Sequence, residues 1–493
     1  MGVAVSGWQL ARAVSLEGQL GVVSGTAIDV VLARRLQLGD PGGHMQRALA
    51  EFPYGDMAER ILRRYYIAGG KPASRPFRAA GVLPLEPSSE QLELVVAANF
   101  IEVFLAGEGH DGLVGVNYLE KIQPPTLASL YGAMLAGVDY VLMGAGIPRF
   151  IPGALDRLSR GEAAELPIPV AGATADEGAV VRFVPETFGP GPPPALKRPK
   201  FLAIVASATL ASMLARKASG RVDGFIVEGP TAGGHNAPPR GEMTLNNRGE
   251  PVYGVRDEVD LAAMRSLGLP FWLAGSYGAP EHVAAALRQG AAGVQVGTAF
   301  AFCAESGLRD DVKRRVLEMS RRGDVDVLTD PAASPTGFPF KVLQMQGSLA
   351  EDAVYAERKR VCDLGFLRQY YRLEDGTLGW RCPAEPEEAY VRKGGDLADT
   401  VGRKCVCNAL MANVGLAQVR RAGVELPLVT CGNEACHVDS FAGGTDSSYT
   451  ARDVIARLLS GLDRPQSVAT ATAPLSAAAD LALVAKAVPA VLN

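Results

Sequence analysis

The chain reads VEGPTAGGHN from Val227 to Asn236, where an apolar run that begins at Gly224 ends in small residues and a histidine. This pattern is typical of a buried strand that delivers a flexible loop and one titratable side chain to a binding face. Two later apolar runs also end in glycine-bearing segments, AGSYG at residues 274–278 and VGT at residues 296–298. The three segments indicate neighbouring strands whose loops form one site.

Short apolar runs alternate with helical patterns along the chain before residue 300. The predicted strands are residues 2–5, 20–23, 113–117, 139–143, 201–206, 224–227, 271–274 and 293–296. Helical crossovers between consecutive strands imply parallel pairing. Eight such units predict an α/β fold of the (β/α)8 TIM barrel type, with an open doubly wound sheet as the alternative.

Two regions do not follow this alternation. Residues 26–108, between the second and third predicted strands, contain several amphipathic helix patterns, and we expect a mainly helical insertion there. The barrel is expected to cover residues 1–345. Residues 346–493 then form a C-terminal extension of mixed or helical structure, which carries six of the seven cysteines.

The composition excludes several classes of protein. The 493 residues are 48% hydrophobic and 21% charged, with a formal net charge of −4 and no block of basic residues, so nucleic-acid binding is not expected. No apolar run reaches the length of about 18 residues that a membrane span needs, and the N-terminus lacks a signal-peptide pattern. An odd number of dispersed cysteines favours reduced thiols in a soluble, cytoplasmic protein.

The loops after the seventh and eighth predicted strands occupy the positions where TIM barrels often bind a phosphate. Their glycines would present unblocked backbone N–H groups, and we expect Pro280 to begin a helix whose positive end faces the anion. The chain has neither a GxxxxGK[ST] loop nor a suitable GxGxxG turn, which argues against a nucleoside triphosphate or a Rossmann-bound dinucleotide. A flavin, a pyridoxal cofactor or a sugar phosphate fits better.

His235 and the cysteines are the other candidates for chemistry. A histidine beside paired glycines at a strand end is suited to proton transfer near neutral pH, although it can also simply bond a nearby carbonyl. The spacings in Cys405-Val406-Cys407 and from Cys431 to Cys436 match no standard zinc or iron–sulfur pattern, so no metal is predicted.

Several of these segments resemble the signatures of nitronate monooxygenases, formerly called 2-nitropropane dioxygenases. They are Gly233-Gly234-His235, the strand end Ala274-Gly275, the segment GVQVGT at residues 293–298, and Gly115-Val116-Asn117. The resemblance covers about residues 1–345 and is strongest over residues 201–306. The chain departs from the family at Val5-Ser6-Gly7, where Ala-Pro-Met is usual, and at Ala299, where an arginine is usual.

The resemblance implies an FMN-dependent barrel enzyme that oxidises nitronates or a similar small carbon acid with dioxygen. Carried over to this sequence, it places His235 as the catalytic base or as a substrate-orienting group. It also implies residues near the flavin ring and residues that hold the flavin phosphate. The first set is Asn117, Ser207, Gly233 and Gly234, and the second is Gly275, Ser276, Gly278, Gly297 and Thr298.

Three other functions stay open at the level of the sequence. The long extension and the insertion are similar to those of trans-acting enoyl reductases of polyunsaturated fatty acid and polyketide synthesis, which use NADH or NADPH on the same barrel. A flavin-free lyase or isomerase would bind a sugar phosphate through the same two loops. A non-catalytic scaffold would use the extension as an interaction surface. An oligomer is compatible with each of them.

Overall fold

The structure, a computed structural model, describes residues 2–173, 178–443, 448–460, 462 and 491–492. Within these residues, a parallel sheet of eight strands forms the centre, and each strand pairs with the next one along the chain. The strands are β1 (Gly21–Ser24), β2 (Val114–Leu119), β3 (Tyr140–Gly144), β4 (Lys200–Val205), β5 (Gly224–Glu228), β6 (Phe271–Ala274), β7 (Gly293–Gln295) and β8 (Val491–Leu492). The predicted parallel α/β architecture is therefore confirmed.

The sheet is curled. Strand residues alternate between two buried clusters, because successive side chains of a strand point to opposite faces. Ile226 belongs to the cluster on the inner face, together with Leu142, Leu202 and Trp272. Its neighbours Phe225 and Val227 belong to the large outer cluster with the helices. At the two ends of the sheet, the Leu20 backbone N–H donates to the Val491 carbonyl at 3.2 Å.

The helices surround the sheet. Among the described residues they are α1 (Trp8–Leu16), α2 (Ile28–Gln37), α3 (His44–Ala50), α4 (Gly55–Tyr65), α5 (Ser89–Gly107), α6 (Thr126–Leu135), α7 (Ile151–Ser159), α8 (Pro185–Phe188), α9 (Ala208–Lys217), α10 (Leu261–Ser266), α11 (Pro280–Arg288), α12 (Thr298–Ala301), α13 (Asp310–Arg322), α14 (Asp352–Glu357), α15 (Glu387–Arg392), α16 (Val406–Asn413) and α17 (Ala451–Leu459). Short 3-10 helices lie at Val255–Asp257, Leu397–Thr400 and Asn433–Phe441.

Short strands outside the central sheet were not predicted from the sequence. Antiparallel pairs join Ala164–Ile168 to Ala179–Phe183, Val327–Asp330 to Phe340–Leu343, Gln369–Arg372 to Leu378–Arg381, and Val419–Arg420 to Gly423–Val424. Val170–Ala171 adds a parallel strand beside Gln369–Arg372.

Four helices, α2 to α5, lie between β1 and β2. The last of them, α5, starts at a capping box formed by Ser88 and Gln91 and packs against α1 and α6. It therefore fills the ordinary crossover position between two parallel strands. The shorter helices α2, α3 and α4 are the additional elements in this connection.

The strand predicted at residues 2–5 is wrong. These residues form a turn, in which Ala4 has a left-handed φ of 49°. The apolar side chains of Val3 and Ala4 are buried because they pack against Val30 and Val31 of α2, and against Met411 of α16. A short apolar run signals burial, and here the burial comes from a packed turn instead of a sheet.

The C-terminal residues share the core of the first part of the chain. Helix α17 packs against α1 and α11, and Val429, Cys431 and Val438 belong to the same hydrophobic cluster as the outer face of the sheet. The Asn433–Phe441 3-10 helix packs along α13. Within the part of the chain that the structure describes, no helix is long and apolar enough to span a membrane.

Candidate active site

Two adjoining cavities open at the carboxyl ends of the parallel strands. Their common wall includes Glu228, Gly234, Gln295 and Thr430. Glu228 is the last residue of β5, and Gln295 is the last residue of β7. In parallel α/β folds this is the face where ligands bind, because the loops that follow the strands converge there.

The first cavity is bordered by the two loops that the sequence indicated for phosphate. Gly275, Ser276, Gly297 and Thr298 all line it. Gly275 and Ser276 are both left-handed, with φ of 95° and 60°. Within the described residues, the backbone N–H groups of Ser276, Gly297 and Thr298 have no protein acceptor. Unpaired N–H groups in such a turn form a concave cradle for an anion.

Gly278 lies in the same loop but outside the lining of either cavity. Its backbone N–H donates to both carboxylate oxygens of Glu434, at 2.9 Å each. Burial raises the pKa of the Glu434 carboxyl, against the lowering effect of this bond. The N–H group is therefore held by a carboxylate that the sequence did not indicate.

Residues 430–434, which we name the C-terminal wall, close the first cavity from the opposite side. The Gly234 N–H donates to Thr430 Oγ1 at 3.0 Å, and the Gly432 N–H donates to Thr298 Oγ1 at 2.8 Å. A Cβ on Gly233 would come within 2.8 Å of the Cys431 carbonyl carbon. The wall can therefore approach this closely only if residue 233 is a glycine, whether or not a ligand also contacts Gly233.

The second cavity lies beside the first and is mostly apolar. Its polar lining includes Asn117 of β2, His235 and Glu228. Residues from distant parts of the chain form its apolar side, among them Ile122, Phe340, Phe366, Leu367 and Leu410. The arrangement offers one polar end and one apolar end to a ligand.

His235 borders the second cavity and is held on two sides. Its Nε2 lies 2.7 Å from Ser334 Oγ, and its ring packs on Phe340 with centroids 4.8 Å apart. Although part of the ring faces the cavity, protein atoms surround it, and this burial lowers the pKa of His235 to about 4. The imidazole is therefore neutral at pH 7.

Glu228 is the functional candidate that the sequence analysis did not single out. Its carboxyl group borders both cavities, and burial raises its pKa to about 7. The sequence does carry a signal for this residue, because Glu228 is an acidic residue at the end of an otherwise apolar strand. A half-buried carboxyl in a cleft, with a pKa near neutrality, is suited to proton transfer.

Two further side chains differ in their relation to the cavities. Gln295 Oε1 is buried in the shared wall and has no hydrogen-bond partner among the described residues, so a donor of a bound ligand would satisfy it. Ser207 lines neither cavity. Its Oγ accepts from the Leu210 N–H at 3.1 Å and caps α9, which accounts for the residue structurally.

The described residues contain no group of three or more histidine, cysteine, aspartate or glutamate side chains placed to hold a metal ion. All seven cysteines are free thiols. Cys405 packs near Cys382 and Cys362 in a small cluster, and none of these three thiols lines either cavity.

The fold and the site together define a class of protein, in which a parallel α/β sheet carries an anion cradle and two titratable side chains at the carboxyl ends of its strands. Within that class, the sequence model of the nitronate monooxygenase family matches residues 172–331. This segment of the chain is similar to the nitronate monooxygenase family, and the resemblance expected from the sequence is confirmed.

Curated relatives match over limited segments. A probable nitronate monooxygenase of Bacillus subtilis (strain 168) is 37% identical over 97 residues, which are 20% of this chain and 26% of that protein. One from Staphylococcus haemolyticus (strain JCSC1435) is 33% identical over 136 residues, 27% of this chain and 36% of that protein. The (3aS,4S,5R,7aS)-5-hydroxy-7a-methyl-1-oxo-octahydro-1H-indene-4-carboxyl-CoA dehydrogenase of Mycobacterium tuberculosis (strain ATCC 25618 / H37Rv) is 32% identical over 145 residues, 29% of this chain and 36% of that protein. The matched segments thus span between 26% and 36% of the length of these relatives.

Proposed function

We propose that the protein is an FMN-dependent oxidoreductase that acts on nitronates or a similar small carbon acid, with dioxygen as the acceptor. The observation that carries this proposal is the anion cradle at Ser276, Gly297 and Thr298, which opens beside the titratable Glu228. We further propose that the curled sheet is a complete (β/α)8 barrel in which β8 takes the eighth place.

The residues present fit this cofactor. The free N–H groups of Ser276, Gly297 and Thr298 suit the phosphate, and the unpaired Gln295 Oε1 suits an N–H donor of the ring system. Gly275, which borders this cradle, has no room for a side chain, since its φ is left-handed and a Cβ there would come within 3.0 Å of Thr231 Oγ1. When bound, FMN would supply the redox chemistry.

The side chains around the shared wall would handle the substrate proton. Glu228 is the better proton acceptor, because its pKa of about 7 matches the working pH, whereas that of His235 is about 4. Neutral His235, fixed by Ser334, would orient the polar end of the substrate, and Asn117 would help it. The surrounding apolar side chains would exclude water.

The apolar second cavity also favours one alternative, an NADH- or NADPH-dependent enoyl reductase. Phe366, Leu367 and Leu410 offer more apolar surface than a very small nitronate needs. The name of the Mycobacterium tuberculosis relative refers to a carboxyl-CoA substrate, and an acyl thioester is a substrate of this polar-and-apolar type.

One set of measurements tests both candidates. We expect the purified protein to be yellow and to release FMN on denaturation. Anaerobic mixing with a nitronate should bleach the flavin, whereas bleaching by NADPH followed by reoxidation with an enoyl thioester would favour the alternative. His235→Ala should retain flavin and turn over more slowly. A protein that takes up no flavin would contradict the proposal.

A further inference from the structure

The C-terminal wall places a carboxylate at the loop where the cofactor phosphate is proposed to bind. Both Glu434 oxygens lie 2.9 Å from the Gly278 N, and the side chain lines the first cavity together with Ser276 and Thr298. The Glu434 side chain is 20% exposed, so solvent screens it only partly. An acceptor-only group therefore stands beside N–H groups that otherwise suit an anion.

The backbone that carries Glu434 is anchored on both the loop after β5 and the neighbouring hairpin. The Asn433 N–H donates to the Thr231 carbonyl at 3.1 Å, and Asn433 Oδ1 accepts from Lys341 Nζ at 2.7 Å. The Gly432 N–H is held by Thr298. Because these bonds fix the residues before Glu434, the carboxylate can leave the loop by side-chain rotation but not by simple withdrawal of the wall.

We propose that Glu434 competes with the flavin phosphate for the loop after β6 and makes retention of FMN depend on pH. The inference rests on the proposed function and extends it to the control of cofactor binding. A phosphate monoester carries about −1.5 to −2 charges at pH 7, so an ionised carboxylate within the same partly desolvated site repels it. As the pH falls, a protonated Glu434 removes this repulsion and can donate a hydrogen bond to a phosphate oxygen.

Other ionisable groups face Glu434 and affect the direction of the pH dependence. His282 Nδ1, on α11, lies 3.9 Å from Glu434 Oε1. A protonated histidine would favour the ionised carboxylate and would also attract a phosphate, so its contribution has to be separated from that of Glu434 by a variant of its own. The remaining titratable groups around this position are His437 and Cys436 on the same 3-10 helix, Lys341 beside Asn433, and Tyr277 beside His282.

The test compares FMN with riboflavin, which lacks the phosphate, on the full-length apoprotein between about pH 5.5 and pH 8.5. We expect the wild-type dissociation constant for FMN to rise by more than about tenfold across this range. In Glu434→Gln, which keeps an acceptor for the Gly278 N–H, FMN should bind at least about tenfold more tightly at the alkaline end. Riboflavin should bind both proteins equally.

Control variants separate the contributions. Glu281→Gln removes an exposed carboxylate from the first turn of α11 and should behave like the wild type. His282→Asn removes the histidine contribution and should retain the difference caused by Glu434. Titration of the phosphate itself contributes equally to all variants, so the comparison cancels it.

The possible failures are distinguishable. If FMN binds the wild type and Glu434→Gln with the same affinity at every pH, the competition is contradicted while the proposed function stands. If Glu434→Gln weakens FMN and riboflavin alike, the residue is structural and the inference is wrong. If no variant binds either flavin at any pH, the proposed function fails and the inference fails with it.

Discussion

Glu228 and His235 stand at the same cavity, and burial shifts their pKa values in opposite directions. Desolvation disfavours the charged form of each group, which raises the pKa of the carboxyl to about 7 and lowers that of the imidazole to about 4. At neutral pH the histidine is therefore uncharged, and the carboxyl is about half ionised. The pair can orient a substrate through one member and exchange a proton through the other.

The first residue-scale prediction concerns the role of Glu228 in turnover. Glu228→Gln keeps the size of the side chain but cannot accept a proton, so we expect kcat/KM to fall by about 10²- to 10⁴-fold. The wild-type rate on a carbon acid should rise as the pH passes through about 7, and this rise should be absent in the variant. The exposed Glu258→Gln is the matched control. An unchanged pH profile in Glu228→Gln would assign the proton transfer to another group.

The same substitution makes a prediction about stability. A carboxyl whose pKa is higher in the folded protein than in the unfolded chain stabilises the fold at low pH, and this stabilisation is lost as the pH rises through about 7. Glu228→Gln should therefore be more stable than the wild type above pH 7, by about 1 to 3 kcal/mol, because it buries no charge there. Denaturant unfolding at about pH 4.5, the ordinary pKa of a glutamate, and at about pH 8.5 measures the difference. Equal stability at the higher pH would contradict a buried, titrating Glu228.

At the scale of elements, the active site depends on contacts between the β5 loop and the C-terminal wall. Thr430 Oγ1 accepts the Gly234 N–H at 3.0 Å, next to His235. Thr430→Val leaves that donor without an acceptor and should lower the free energy of unfolding by about 1 to 2 kcal/mol. It should also weaken flavin binding, because both cavities border this contact. Thr430→Ser keeps the hydroxyl group and should resemble the wild type in denaturant and flavin titrations. If Thr430→Val matches Thr430→Ser in both titrations, the hydrogen bond is dispensable.

The element scale also separates what the sequence predicts from what it leaves out. Seven of the eight predicted strands are present. They could be recognised in the sequence because a run such as Phe225-Ile226-Val227 is apolar on both faces of the strand and is followed by a glycine-rich loop. The run at residues 2–5 has the same composition but is buried in a turn. The C-terminal wall was missed because it lies far along the chain from the loops it contacts. Its signal was Leu428-Val429 followed by Thr430, Cys431 and Gly432, another apolar run that ends in small residues.

At the scale of the whole molecule, the predicted boundary at residues 345 and 346 does not separate two cores. Cys431 and Val438 pack in the same cluster as strand residues of the sheet, and the wall completes the first cavity. This shared core could not be predicted from the sequence, since apolar residues report burial but not the partner that buries them. The extension is consequently part of the proposed cofactor site, and its removal should remove flavin binding along with it.

The last prediction concerns β8, which pairs with β7 on one side and accepts a hydrogen bond from Leu20, just before β1, on the other. Val491 pairs with Val294 of β7, its carbonyl accepts the Leu20 N–H, and its N–H donates to Gln19 Oε1 at 2.9 Å. Its side chain is fully buried. Deletion of residues 491–493 should leave β7 with an unpaired edge and remove this burial, at a cost of about 3 kcal/mol or more.

We expect the melting temperature of the truncated chain to fall by on the order of 5 °C in a thermal scan, with more aggregation through the exposed edge. A chain that lacks only residue 493 is the control and should melt like the full-length protein. Because β8 supplies the eighth place of the proposed barrel, equal melting of all three chains would mean that the sheet does not depend on this strand for closure.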